Sequence, residues 1–395
     1  MEWSPQQAEA LSLIRAWLDG PKQVFRLFGF AGTGKTTLAR HAAELAGGAV
    51  LFCAPTGKAA HVLRRRGCHE ASTVHRLIYL PQDKSRERLR LIRAELQATP
   101  PPTTARQAEL RRQELEEIDL LRQPAFTRNP ASPVADARLV VLDEASMVGD
   151  RMGEDLLSYR TKVLVLGDGA QLPPVASQGY FTREHPDFQL TEVHRQAAGS
   201  PVLRLATMVR QGQPLPLGDH GSSRVVLKGV LNVRDLLAHD QVLVGKNTTR
   251  RLINQRMRAE LGRADAMPVP GDRVVCLRND HQVGLLNGQQ FEVIQAQVDG
   301  QDVWMQLLDP EDNRTVSVIA HREHFEGKED ELSPWDVRCK QCFEHALAMT
   351  THKAQGSQWD SVCVLDQSRF FGPHAQQWLY TAITRASERV TVIRL

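Results

Sequence analysis

Seven short apolar runs, most of them rich in β-branched residues, punctuate the chain at 24–28, 49–53, 139–142, 163–166, 242–244, 361–365 and 390–393. Their apolar character is continuous rather than alternating, which marks strands covered on both faces, as in parallel α/β sheets. Helical periodicity lies between them, at 6–18, 36–46, 248–261 and 375–386. Strand and helix alternate on both sides of about residue 190, so the pattern predicts an α/β protein with two doubly wound units.

Two segments break this rhythm. Residues 84–123 are highly charged and helical in period, with Pro100, Pro101 and Pro102 in the middle. Leu89, Ile92 and Leu96 share one face before the prolines, and Leu110, Ile118 and Leu121 share one after them, which predicts a helical hairpin inserted in the first unit. Its first arm, 84–97, carries five basic and two acidic residues. That balance suits a solvated helix pair or a nucleic-acid contact equally. From 267 to 338 the turn pairs Gly271-Asp272, Asn287-Gly288 and Asp299-Gly300 separate short runs at 273–277, 290–293 and 303–308. This spacing predicts a small antiparallel barrel inserted in the second unit. The expected organisation is thus 1–80 and 125–187 for the first unit, interrupted by 81–124, and 188–266 and 339–395 for the second, interrupted by 267–338.

At 395 residues the chain is too long for one ordinary core, in keeping with two units. A formal net charge of +3 neither demands nor excludes a polyanionic partner, so any nucleic-acid footprint must be local. The longest apolar run, 49–54, falls far short of the ~18 residues of a membrane span. Six cysteines are scattered without a disulfide framework, and a reducing cytoplasm is expected. Cys339 and Cys342 form a lone C-x-x-C; zinc needs about four ligands, and no second pair stands nearby.

The chemistry concentrates at strand ends. The first run leads into Gly29-Phe30-Ala31-Gly32-Thr33-Gly34-Lys35-Thr36, a G-x-x-x-x-G-K-T loop followed by a helix. Its glycines let backbone N–H groups wrap phosphates at a helix N-terminus, Lys35 reaches the outer phosphates, and the Thr36 hydroxyl suits Mg²⁺. The nucleotide cradle is therefore expected at Gly29, Ala31, Gly32, Thr33, Gly34, Lys35, Thr36 and Thr37. The run 139–142 delivers Asp143 and Glu144 to the same sheet edge, where Asp143 can hold Mg²⁺ and Glu144 can activate the attacking water. A second carboxylate favours hydrolysis over transfer to another acceptor. The run 163–166 ends in Gly167-Asp168-Gly169-Ala170-Gln171-Leu172-Pro173-Pro174-Val175, where Gln171 can sense the γ-phosphate and the stiff Pro-Pro can carry that signal outward.

Taken with Asp143-Glu144-Ala145-Ser146-Met147, this last motif resembles superfamily 1B helicases of the RecD-like group, which includes the phage Dda helicase. The remaining motifs follow in order over nearly the whole chain. Ser4-Pro5-Gln6-Gln7 resembles the leading Q motif, 54–60 resembles motif Ia, and 72–77 resembles the Thr-x-His element. Residues 190–196 resemble motif IV, 350–357 motif V and 380–386 motif VI; Asn247 through Arg250 and 273–288 are similar to the RecD-like second half. The group usually passes quickly from Thr-x-His through a short pin to Phe-x-Arg-Asn, here 126–129. This chain inserts the helical hairpin first.

The resemblance implies two RecA-like domains with ATP and Mg²⁺ between them, Gln7 reading adenine, Gln355 and Gly356 near the nucleotide, and Arg195 and Arg385 as two arginines reaching the γ-phosphate. Pro55, Thr56, Lys58, Thr73, His75, Asn247, Thr350, His352 and Lys353 are the expected strand contacts. Their hydroxyls, amides and charge suit phosphates, although such residues also serve structural ends. Trp359 and Trp378 are expected to fill the core. The implied activity is ATP-driven 5′→3′ translocation on single-stranded DNA with unwinding at single-strand/duplex junctions, by a monomer. An ATP-switched binding module, an RNA-directed enzyme and a P-loop kinase are the alternatives.

Overall fold

The structure, a computed structural model, describes residues 3–81, 87–98, 100, 102–122, 126–173, 179–192, 199–280, 283–328, 331–332 and 340–395. They form two compact units, one of Met1–Val74 with Ala137–Leu395 and one of His75–Asp136.

The larger unit is built on two parallel sheets. In chain order the strands of the protein are β1 Val24–Gly29, β2 Val50–Ala54, β3 Ser72–Thr73, β4 Tyr79–Pro81, β5 Phe126–Arg128, β6 Leu139–Leu142, β7 Lys162–Gly167 and β8 Phe188–Leu190. The first sheet has the order β3-β2-β6-β7-β1-β8, every pairing parallel. All six residues of β1 and all four of β6 are buried, as their unbroken apolar character requires. Helices Pro5–Asp19 and Lys35–Leu45 cover one face through Ile14, Trp17 and Leu38. Ser4 starts the first helix through a capping box with Gln7, helped by proline at its first position.

The second sheet comprises β9 Gly218–His220, β10 Ser223–Leu227, β11 Gln241–Val244, β17 Ala348–Thr350, β18 Trp359–Asp366 and β19 Ala386–Arg394. Its order is β17-β11-β18-β19-β10-β9, parallel except for the antiparallel edge strand β9. Trp378 is fully buried in its core and Trp359 packs against the same cluster. On the other face, Ile253 and Met257 of helix Asn247–Glu260 join Val242 and Val244. The two doubly wound sheets expected from the hydrophobic pattern are present.

Between β11 and β17 lies a five-stranded antiparallel sheet of β12 Arg273–Cys276, β13 Gln290–Asp299, β14 Asp302–Asp309, β15 Arg314–His321 and β16 Phe343–His345, ordered β15-β14-β13-β12-β16. Its two edges meet at a bridge between Ala320 and Gln341, and the Gln341 amide donates to the Ile319 carbonyl at 2.9 Å, closing the barrel. Phe291, Met305, Leu307 and Phe343 fill its interior. Arg258, from helix Asn247–Glu260, pins the barrel's entry by a buried ion pair to Asp272 at 2.9 Å.

In the smaller unit, β4 and β5 form a two-stranded antiparallel ribbon, with Tyr79 opposite Arg128 and Pro81 opposite Phe126. Helices Glu87–Leu96 and Thr104–Arg122 pack together with Leu89, Ile92 and Leu110 buried. Leu96 is only half-buried, and the Ile118 and Leu121 side chains lie outside the described residues. Of the basic first arm, Lys84 and Arg86 lie outside the described residues, and two of its arginines face acids. Arg93 pairs with Glu114 at 2.6 Å and Arg88 approaches Glu117 at 3.9 Å, both acids on the second arm. These two pairs offset part of the first arm's positive charge, a pairing invisible while the arms are counted separately.

Candidate functional site

The loop after β1 turns on Gly32 and Gly34, both at φ 79° in the left-handed region that favours glycine. Gly29 is required for a different reason: a Cβ there would lie 2.6 Å from the Thr33 hydroxyl and 2.9 Å from Leu190. The loop hands over to helix Lys35–Leu45, whose first turn contains no acid to repel an anion. Lys35 folds back to donate to the carbonyls of Gly29 at 2.5 Å and Phe30 at 3.1 Å.

Asp143 and Glu144 leave β6 beside this loop. The Thr36 hydroxyl donates to Asp143 Oδ2 at 3.0 Å, so a hydroxyl and a carboxylate already converge as a donor set for a small hard cation. Glu144 takes a left-handed backbone conformation, φ 52°, and its amide donates to Asp143 Oδ1 at 2.8 Å. A non-glycine residue in that region stores strain, which here aims the carboxylate into the cavity. Burial pushes the Glu144 carboxyl above its usual range; Asp143 and Asp168 add to this, while Arg385 and Lys35 oppose it.

A cavity of about 400 Å³ joins these groups to the second sheet. It is lined by the loop from Ala31 to Thr37, by Asp143, Glu144 and Gln171, and from the second half of the chain by Gly356, Ser357, Thr384 and Arg385. Arg385 is only 6% exposed. Its guanidinium donates to the Thr381 carbonyl at 3.2 Å, the Ser357 carbonyl at 3.2 Å and the Thr384 hydroxyl at 3.4 Å. Gln171 is buried against the cavity and its Oε1 has no hydrogen-bond partner among the described residues. An acceptor left so is costly unless a ligand or water meets it.

Three residues to which the sequence assigns no individual role join the two sheets beside this cavity. The Tyr380 hydroxyl donates to Asp168 at 2.7 Å and accepts from the Ala31 amide at 3.2 Å. The Thr381 hydroxyl accepts from the Leu172 amide at 2.9 Å, and the Arg210 guanidinium sits 3.4 Å from the Phe30 ring centroid. Tyr380 and Thr381 fall within the stretch 380–386 that resembles motif VI, but nothing local marks their pairing with the first sheet, and no local pattern marks Arg210.

Two expected nucleotide contacts stand elsewhere. Gln7 is 3% exposed; its carbonyl serves the capping box and its amide donates to the Thr33 carbonyl at 3.2 Å. It braces the phosphate loop from behind, because the capping position turns the side chain inward. Gln355 is buried and donates to the Leu172 carbonyl at 3.0 Å rather than facing the cavity, whereas Gly356 lines it. Arg195, with the rest of 193–198, and Pro174 and Val175 lie outside the described residues, as does Cys339. Among the described residues no cluster has the make-up of a metal site of three or more His, Cys, Asp or Glu groups.

The expected strand contacts divide into several groups. Thr56 caps helix Gly57–Arg65 by accepting from the Ala59 amide at 3.2 Å; Pro55 beside it is half-buried. Lys58 is ion-paired with Glu311 on the turn between β14 and β15, and its side chain is only 12% exposed. Lys353 pairs with Glu344 at 2.5 Å, which also holds Arg250 at 2.5 Å. Thr350 and Lys353 start the same turn after β17, the Thr350 hydroxyl accepting from the Lys353 amide at 3.4 Å. His352 packs on Phe371 with centroids 5.6 Å apart, and burial lowers its pKa. Thr73 is buried, while Asn247 is exposed at the start of helix Asn247–Glu260. His75 belongs to the smaller unit, where its ring lies 4.9 Å from Tyr79 and 5.5 Å from Phe126.

Residues 2–225 match the family model of an AAA domain, and residues 345–393 match that of the UvrD-like helicase C-terminal domain. The ATP-dependent RecD2 DNA helicase of Deinococcus radiodurans is 28% identical over 92% of this chain and 46% of its own length. The ATP-dependent DNA helicase dda of Enterobacteria phage T4 is 26% identical over 52% of this chain and 42% of its own. The chain thus spans about half the length of the curated relatives it matches. Among solved structures, Pif1 helicase at forked double-stranded DNA aligns with TM-score 0.54 at 17% identity, covering 99% of this chain and 92% of that one. Pif1 helicase from Candida albicans aligns with TM-score 0.52 at 16% identity, covering 100% and 95%. This likeness shows the fold: two RecA-like α/β domains.

Proposed function

The chain belongs to the AAA-domain family matched over residues 2–225, and from that premise we propose that it is an ATP-driven motor that moves 5′→3′ along single-stranded DNA and unwinds duplex. The observation that carries this reading is the shared cavity. Lys35, Thr36, Asp143 and Glu144 from the first sheet meet Arg385 from the second across one space of nucleotide size.

Each residue then has a chemical part. Lys35 exchanges the Gly29 and Phe30 carbonyls for the outer phosphates of ATP. Thr36 and Asp143 would hold Mg²⁺, which would neutralise phosphate charge. Glu144, aimed into the cavity by its strained backbone, takes the proton of the attacking water. Gln171 offers its unpartnered Oε1 to that water, and Arg385 meets the charge that develops on the γ-phosphate. Arg195 is proposed as a second arginine on the strength of its motif.

Motion follows from how the two sheets are joined. Tyr380, Thr381 and Gln355 tie the second half of the chain to the 168–172 segment and the phosphate loop. Closing the cleft on ATP and opening it after hydrolysis would therefore shift both halves along a bound strand. In the larger unit the proposed strand contacts are Pro55, Thr56, Lys58, Thr73, Asn247, Thr350, His352 and Lys353; His75, of the smaller unit, is proposed on the strength of its motif alone. RecD2 and Dda, both described as ATP-dependent DNA helicases, support DNA as the track. Its proposed setting is the cytoplasm, as a monomer. No helix among the described residues is long and apolar enough to cross a membrane.

The test is ATP hydrolysis with and without single-stranded DNA, duplex DNA and RNA. Stimulation by single-stranded DNA above the other two supports the assignment. Strand-independent turnover, or stimulation by RNA alone, overturns it.

A further inference from the structure

Three neighbouring strands of the second sheet, β17, β11 and β18, run parallel and end at the same edge. After β11 come Lys246 and Asn247, both exposed. After β18 comes the segment Ser368–His374, which presents Phe370 with 47% of its surface open to water. Lys246 Nζ lies 3.3 Å from the Phe370 ring centroid and the Arg369 guanidinium 4.9 Å from it.

This arrangement is built rather than frayed. Gln367 accepts from the amides of Gly245 at 2.7 Å and Lys246 at 3.2 Å, and donates to the Thr249 hydroxyl at 2.9 Å. Gly245 permits the close approach: a Cβ there would lie 2.8 Å from the Phe371 ring and 2.9 Å from Gln367. Phe371 stacks flat on the buried Trp378, centroids 5.3 Å apart, and anchors the segment. Its neighbour is thereby left facing outward. Phe371 and Trp378 have a core to fill, and Phe370 does not.

We propose that Phe370, flanked by Lys246 and Arg369, is a stacking platform for one base of a single-stranded nucleic acid. The proposal rests on the strand-tracking function above and adds to it a base contact outside the helicase motifs. The charges argue for this occupant. Lys58 and Lys353 already hold carboxylates, whereas Lys246 and Arg369 have no ion-pair partner among the described residues. A strand offers both complements at once: a flat base for the ring and a phosphate that draws the cations off its face. The first turn of helix Asn247–Glu260, which begins beside Lys246, carries no acid to repel that phosphate. Stacking tolerates any base, as a motor that must pass over every sequence requires.

The experiment measures affinity by fluorescence anisotropy for an oligothymidylate and for an abasic oligonucleotide of the same length. Phe370→Ala is expected to weaken binding to oligothymidylate about tenfold and to leave the abasic strand within about twofold of the native protein. Phe370→Trp restores the first value. Lys246→Ala weakens both strands and lowers the slope of log affinity against log salt by about 0.7. If Phe370→Ala binds oligothymidylate as the native protein does, or loses equally on both strands, the platform is refuted. If the native protein binds neither strand, the strand-tracking function falls with it, which separates the two failures.

Discussion

Replacing Arg385 by lysine keeps one positive charge in the cavity but removes the planar fork. The structure sets what that costs. A guanidinium has about five N–H groups. Three of these are engaged, by the Thr381 and Ser357 carbonyls and the Thr384 hydroxyl, holding the side chain 6% exposed at the cavity wall. The remaining N–H groups are free for an anion opposite Lys35. An arginine that meets γ-phosphate charge in this way is typically worth about 10³–10⁵ in rate. At about 1.36 kcal/mol per tenfold, that is roughly 4–7 kcal/mol of transition-state stabilisation. Ground-state binding should change little, because the phosphate cradle lies on the loop from Ala31 to Thr37 and not on Arg385. The carbonyls that lose their donor should reduce folding stability by about 1–3 kcal/mol. The assay is steady-state ATPase at saturating single-stranded DNA, with nucleotide affinity and thermal melting measured on the same protein. A kcat loss of about 10³ or more with affinity within about threefold is expected. A folded variant that loses less than about tenfold would show that Arg385 merely holds Ser357 and Thr381 together.

Glu144 must be ionised to act as a base, and its carboxyl is held above the usual range, so kcat should rise with pH through an acid limb nearer neutrality than an ordinary glutamate gives. Glu144→Gln should bind ATP but lose that limb along with turnover; an unchanged pH profile would assign the base elsewhere. Arg385→Ala should push the same limb further up, since the guanidinium opposes the shift, while Arg385→Lys should move it less. Glu311→Gln frees Lys58 from its ion pair and should tighten single-strand affinity by about two- to fivefold; weaker binding would mean that the pair organises the channel rather than competing for it. Joining Pro81 directly to Phe126 through a short turn removes the helical hairpin from the end of its ribbon and should leave strand-free ATPase intact, because none of its described residues lines the cavity. Loss of that basal rate would make the hairpin a support of the nucleotide site.

The phosphate loop was legible because its chemistry is contiguous: glycines, lysine and threonine at fixed spacing between an apolar run and a helical one. The sheets were legible for a similar reason, since residues buried on both faces leave unbroken apolar runs. What sequence could not give was pairing across distance. Tyr380 meets Ala31 over a separation of 349 residues and Lys58 meets Glu311 over 253, and no local pattern announces either. Gln7 illustrates a different limit. Its position at the head of a helix fits a base-reading glutamine and a capping-box glutamine equally, and only the fold shows its amide behind Thr33. The basic arm of the hairpin stands out by its charge, yet Glu114 and Glu117 on the opposite arm face two of its arginines. Phe370 went unremarked because a phenylalanine beside a second phenylalanine reads as core until one of them is seen buried and the other open.

In the proposed motor, hydrolysis in the cavity between the two sheets moves the protein along a strand. Displacement of a labelled strand from a duplex bearing a single-stranded tail tests it most directly, with native protein, ATP and Mg²⁺, and with Lys35→Ala as the comparison. A duplex with a 5′ tail should be unwound, one with only a 3′ tail should not, and Lys35→Ala should unwind neither. Release from the 3′-tailed duplex alone would reverse the direction while keeping the motor. Steady ATP hydrolysis with no displacement from either tail would contradict the account and leave an ATP-switched binding protein in its place.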